Sequence, residues 1–240
     1  MIYVSHGEKG GVGKSRLAMV LVDYLLTNGR PVVVVEGDKT GADVGIRFID
    51  QVEVGFINLN RPDEMEEAFT SLFGWIEEHA SEKDVVVNLP GQASSTLDQF
   101  GDLFVGTGET LGHEVTVFYS LGPLDLHTAN LEISMKRGIL SFVPLDRRIV
   151  VMSEKISPIS EYHWTGSTLR KNFLEAGIKE RVMPVLKPDY MEKKIRDLEG
   201  SYSALLSPQS PLTMAERAVL FRWLRSAHQT VQLKEVIDGK

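Results

Sequence analysis

The chain has no cysteine, and this absence removes disulfides, thiolate metal sites, iron–sulfur clusters and cysteine nucleophiles together. It also has no apolar run approaching the ~20 residues needed to cross a bilayer. The longest such run, PVVVVE, reads as a buried strand. Six histidines are scattered without close pairing, which argues against a histidine metal site. No internal repeat, low-complexity tract or linker-like segment interrupts the 240 residues. We therefore expect one domain over residues 1–240, long enough to bury a core without staples. The opening MIYVS reads directly as a strand, with no basic region followed by an apolar stretch, so no export signal is expected. These features, with 42% hydrophobic and 25% charged residues, give the expectation of a soluble, cytoplasmic protein.

Charge is unevenly placed. Residues 51–110 hold twelve acidic against two basic residues, while the whole chain carries −7. Solvated acidic helix faces account for such a segment, and so does a surface that meets a basic partner. Either way it repels DNA.

Short β-branched runs alternate with longer helical stretches, the pattern of parallel βαβ units. The expected strands are Ile2–Ser5, Val32–Glu36, Val85–Leu89, Val115–Tyr119, Ile149–Met152 and Val182–Leu186. Most are valine-rich on both faces, as strands covered by helices on each side of a sheet must be. Leu17, Val20, Leu21, Tyr24 and Leu25 recur at helical spacing, and Asn28-Gly29 supplies a stop. Further helices are expected over Glu64–Glu78, over 168–176, and after Thr213, which has capping-box spacing to Glu216. The fold class expected is α/β, a doubly wound and mostly parallel sheet with helices on both faces, as in Rossmann-like and P-loop proteins.

Between the first strand and the first helix lies GEKGGVGKSR, residues 7–16. Gly10, Gly11 and Gly13 let the backbone turn so that successive N–H groups, including those of Val12 and Arg16, point at one anion. Lys14 is placed to neutralise β- and γ-phosphates, and Ser15 to give its hydroxyl to Mg²⁺. A glycine-rich turn without a ligand is the bland alternative. The run arises by chance in a chain of this length with a probability on the order of 10⁻⁵ to 10⁻⁴.

KGGVGKS resembles the deviant phosphate loop of the ParA/MinD-like P-loop ATPases. That version does not need glycine where Glu8 stands, and it adds a signature lysine, here Lys9. The resemblance implies that Lys9 reaches across a dimer interface to the partner's nucleotide, where a cation offsets the repulsion of two facing triphosphates. VVVVEGDKTGAD is similar to the family's switch I, with Asp38 matching the acid that orients the attacking water and approaches Mg²⁺. Glu36 stands where the family's other acid is usually Asp. DVVVNLPGQAS is similar to the Walker B strand and switch II, and VFYSLGPLDLHTANL to the strand, loop and helix that follow. The likeness covers about the first 155 residues.

Two positions depart from the family. Asn88 replaces the Walker B Asp that holds a water in the Mg²⁺ shell; an amide oxygen can still accept a bond from such a water. Either hydrolysis is slowed, or the chain binds nucleotide without turnover. Arg16 replaces a residue that touches the α-phosphate, a contact a backbone N–H at the helix start can supply. For the adenine pocket, Ser153 and Pro188 are candidates by position alone, and ATP over GTP rests on the resemblance.

The absences narrow the branch. Nitrogenase reductases and iron–sulfur carriers need cysteine. Tyrosine kinases of the group end in a tyrosine cluster, and no tyrosine follows Tyr202. Dethiobiotin synthetase lacks the signature lysine. The final segment, with Phe221, Trp223, Leu224 and Ala227 among Arg217, Arg222 and Arg225, reads as a helix docked on the sheet in preference to a membrane helix. Residues 161–200 hold eight basic and seven acidic residues, so non-specific DNA binding is possible but not favoured. The expectation is an ATP- and Mg²⁺-dependent homodimer switch, hydrolysing ATP slowly and acting with a protein partner in plasmid or mobile-element partition, positioning or transfer. A non-hydrolysing nucleotide-binding adaptor and a small-molecule kinase or ligase are the alternatives.

Overall fold

The structure is a computed structural model that describes residues 1–7, 10–37, 41–59, 64–91 and 94–232. Its strands are β1 (Ile2–His6), β2 (Val32–Glu36), β3 (Val54–Phe56), β4 (Asp84–Asn88), β5 (Val115–Ser120), β6 (Arg148–Ser153) and β7 (Lys179–Met183). The helices are α1 (Lys14–Thr27), α2 (Asp43–Phe48), α3 (Met65–His79), α4 (Ser94–Gln99), α5 (Gly101–Thr110), α6 (Asp125–Arg137), α7 (Ile139–Phe142), α8 (Thr168–Glu175), α9 (Asp189–Arg196) and α10 (Met214–Val231).

All seven strands join one sheet in the order β3-β2-β4-β1-β5-β6-β7, and every pairing is parallel. The expected α/β fold, doubly wound with helices on both faces, is what forms. Side chains alternate across each strand, so the sheet divides the apolar residues between two cores. Val4, Val35, Val87 and Val117 face α3, α5 and α6 through Phe69, Leu72, Phe104 and Leu131. Tyr3, Val34, Val86 and Phe118 face α1, α2, α9 and α10 through Leu17, Leu21, Phe48, Ile195 and Trp223.

Strand order decides where a site can form. The chain runs outward from β1 through β2 to β3, returns to insert β4 beside β1, then builds β5 to β7 on the other side. Connections leaving β1, β4 and β5 therefore diverge at the carboxyl ends of the central strands, where open α/β sheets bind ligands.

Two expectations on the strands change. β3 is added; VGF is too short for alternation to register, and Gly55 lies under Trp75 so closely that a Cβ would stand 2.7 Å from its ring. The last strand is Lys179–Met183, not Val182–Leu186. Pro184 has no N–H to continue the ladder, and the strand starts in the charged run Lys179-Glu180-Arg181, acceptable at a sheet edge. α10 docks on the sheet through Leu220, Trp223, Leu224, Ala227 and Val231. Phe221, counted with its apolar residues, is instead on the outer face, 53% exposed. No helix of the described residues is long and apolar enough to cross a membrane.

Candidate phosphate-binding site

β1 is buried along its whole length and delivers the chain to Gly7 at the centre of the sheet. Gly7 has φ 143°, and a Cβ there would stand 2.5 Å from the Ser120 carbonyl oxygen, so only glycine lets the loop leave against β5. Glu8 and Lys9 lie outside the described residues. Beyond them nothing approaches within 4 Å of where a Cβ would stand on Gly10 or Gly11, and Gly11 is left-handed with φ 84°. Gly13, at φ 100°, is the N-cap of α1 and has no side chain to cap it, and the first turn has no acid. The start of the 14-residue α1 thus adjoins a glycine loop that the described residues leave open. Ser5 Oγ donates to the Lys14 carbonyl at 2.9 Å, pinning this first turn to β1. Val12 and Lys14 are each 6% exposed, while Ser15 and Arg16 are half-buried.

The residues at the ends of β2 and β4 form one unit. Register puts Glu36 opposite Asn88, and Asn88 opposite Ser5. Asn88 Nδ2 donates to Glu36 Oε1 at 2.9 Å. The other carboxylate oxygen of Glu36 accepts from the N–H groups of Val44 and Gly45, at 3.2 and 3.1 Å. A fully buried carboxylate is thereby satisfied by three donors, two of them at the N-terminus of α2, which has no cap from its own N-cap residue Ala42. An aspartate in place of Asn88 would set two buried carboxylates side by side, so Glu36 dictates the amide. Asn88 Oδ1 is buried and has no hydrogen-bond partner among the described residues.

An orphaned acceptor at this place fits one role expected for Asn88, receiving a hydrogen bond from a metal-bound water. Ser15 offers its hydroxyl from the start of α1, and Asp38 lies outside the described residues. Among the described residues no group of three or more His, Asp or Glu could hold a metal by themselves. Ser15 and Asn88 Oδ1 are the described groups here that could take part in holding a hydrated cation.

Sequence reasoning missed the acid that engages Arg16. Glu192, on α9, is 5% exposed. Its Oε1 lies 3.0 Å from Arg16 Nη1 and its Oε2 3.1 Å from Lys155 Nζ. Arg16 also sits over the Trp223 ring, 5.6 Å from its centroid. Of the adenine-pocket candidates, Ser153 reaches the loop: its Cβ is 3.9 Å from where a Cβ on Gly13 would stand. Pro188 forms the N-cap of α9. A cavity of about 350 Å³ runs between α1, α2 and α9, with Ser15, Arg16, Arg47, Glu192 and Tyr202 in its wall.

A second missed pair joins the loop to α4. His6, fully buried, places Nε2 3.4 Å from Asp98 Oδ1. That oxygen also accepts from Ser134 Oγ at 2.7 Å and from the Ile139 N–H at 2.9 Å. Burial works to raise the Asp98 carboxyl, but its contacts with His6, Ser134 and Ile139 together hold it below the usual carboxylate range. A histidine ending a fully buried strand, directly before a glycine loop, was the available signal.

No family model matches the chain. It is similar to Protein MobD of Acidithiobacillus ferrooxidans, 24% identical over 244 aligned residues that cover 99% of this chain and 96% of that protein. Among solved structures it is similar to the nucleotide-binding protein of Archaeoglobus fulgidus in complex with ADP. That likeness has 12% identity and a TM-score of 0.48, covering 88% of this chain and 92% of the other.

Proposed function

We propose that the chain binds a nucleoside triphosphate at the loop between β1 and α1 and works as a nucleotide-dependent dimer switch of the ParA/MinD-like kind. One observation carries this reading: the start of α1, the glycine loop left open by the described residues at Gly10 and Gly11, and the buried Lys14 converge at the topological switch point of the sheet. Lys14 offsets phosphate charge, and the first-turn N–H groups orient the phosphate chain. Ser15 and Asn88 Oδ1 are the groups that would hold Mg²⁺ and its water shell. The metal would supply charge neutralisation on the phosphates. Asp38 is assigned the orientation of the attacking water, and Lys9 the contact to the second copy.

Partition, positioning or transfer of a plasmid or other mobile element is the setting we propose, and the full-length likeness to Protein MobD supports it. A protein partner is part of this reading; DNA and membrane are not. The Asn88–Glu36 bond also favours a second reading, a non-hydrolysing adaptor, because the Walker B acid is absent for a structural reason.

Two measurements decide. Light scattering with and without Mg·ATP should show a doubled mass for wild type and a monomer for Lys9→Ala. A wild type that stays monomeric with ATP bound refutes the dimer switch. Steady-state phosphate release above that of Lys14→Ala supports an ATPase, and release equal to it supports the adaptor.

A further inference from the structure

Glu192 is a carboxylate shared by two cations on different elements, Arg16 in the first turn of α1 and Lys155 just beyond β6. Arg16 is the residue after Ser15 in the first turn of α1. Lys155 lies two residues after Ser153, whose Cβ is 3.9 Å from where a Cβ on Gly13 would stand. Glu192 closes the gap between them at 3.0 and 3.1 Å, and it shares the wall of the 350 Å³ cavity with Ser15. The triad carries one net positive charge, and Glu192 is the member most removed from water, 6% exposed against 23% for Arg16 and 44% for Lys155. A polyphosphate at the loop offers the same two cations an alternative acceptor with more charge, reached from solvent.

Resting on the nucleotide reading above, we propose that Glu192 restrains nucleotide affinity by holding Arg16 and Lys155, and that a phosphate chain bound at the loop draws those cations away from it. Affinity is then set by competition between a resident carboxylate of α9 and the phosphates. The discrimination follows phosphate number, because what is contested is charge. The same exchange loosens α9 from α1, so nucleotide binding is felt on the α9 surface.

The test is calorimetric titration of ATP, ADP and AMP, each with Mg²⁺, into wild type, Glu192→Gln, Lys155→Gln, the double variant and Lys14→Ala. Removing one negative charge close to the phosphates should tighten ATP about tenfold at low ionic strength. The gain should be smaller for ADP, smallest for AMP, and only partly reduced at about 1 M salt. Lys155→Gln, at an exposed position, should weaken ATP, and the double variant should return towards wild type. A folded Glu192→Gln with wild-type ATP affinity, or one that gains equally for AMP and ATP, overturns the proposal and leaves nucleotide binding intact. A wild type that binds no nucleotide better than Lys14→Ala overturns both.

Discussion

Asn88→Asp restores the acid that the phosphate-loop resemblance expects, yet the structure says that it destabilises the protein. The change is isosteric, so no cavity opens, and the effect is electrostatic. Position 88 is 2% exposed and Glu36 fully buried, with the facing atoms now 2.9 Å apart. Two unit charges about 4 Å apart at an effective dielectric of about 20 repel by about 4 kcal/mol. A hydrogen bond worth about 1 kcal/mol is lost as well. Relief comes by sharing a proton, which raises the pair's folded-state pKa above the unfolded value near 4. Below about pH 4 both states hold the proton and the variant is little affected. Above it the unfolded chain releases the proton first, so the deficit grows towards neutrality and reaches about 3–5 kcal/mol.

Denaturant unfolding of wild type, Asn88→Asp, Glu36→Gln and the double variant at pH 5 and 8 measures this. In the double variant the polar groups trade places. The new side-chain amide on β2 donates to the new carboxylate on β4, and its carbonyl oxygen still accepts from Val44 and Gly45, so most of the stability should return. A coupling of at least about 2 kcal/mol at pH 8 is expected. Asn88→Asp within about 0.5 kcal/mol of wild type at pH 8, or a double variant equal to the sum of the singles, refutes the reasoning. Under the proposed function the double variant should also release phosphate faster, because the acid then stands beside the site without the Glu36 carboxylate opposite it.

Three other outcomes are expected. Gly7→Ala should cost about 2 kcal/mol or more in unfolding, since φ 143° and the Ser120 carbonyl at 2.5 Å leave no room for a methyl group; a neutral result would mean the loop exit is adaptable. Asp98→Asn should lose about 1–3 kcal/mol at pH 7. The wild-type carboxyl is held low in the folded state, so its contribution is present above its unfolded value near 4 and is lost as pH falls further. The gap between Asp98→Asn and wild type should therefore close in acid. Thr213→Ala should cost about 1 kcal/mol, because Thr213 Oγ1 accepts the Glu216 N–H and the Glu216 carboxylate accepts the Thr213 N–H; circular-dichroism melting reads it.

What was legible in the sequence follows from range. Strands buried on both faces announce themselves as valine runs, and the capping box at Thr213 is complete within four residues. The glycine loop is equally local, so its residues could be named without a structure, although Lys9 and Asp38 fall outside the described residues. What stayed hidden depends on strand order. Glu36 in place of Asp and Asn88 in place of Asp read as two separate departures from the family pattern. Only the insertion of β4 beside β2 brings them together across 52 residues and makes them one change. A longer acid at 36 reaches the α2 N-terminus, and the residue opposite must then donate a hydrogen bond in place of adding a second charge. Arg16 follows the same logic. At its helix start it reads as a phosphate contact, while the acid that occupies it arrives on α9 from the far end of the sheet. The amide at 88 therefore has a structural cause in the carboxylate opposite it. Glu36 fixes α2, and the amide it demands at 88 keeps one oxygen without a hydrogen-bond partner among the described residues.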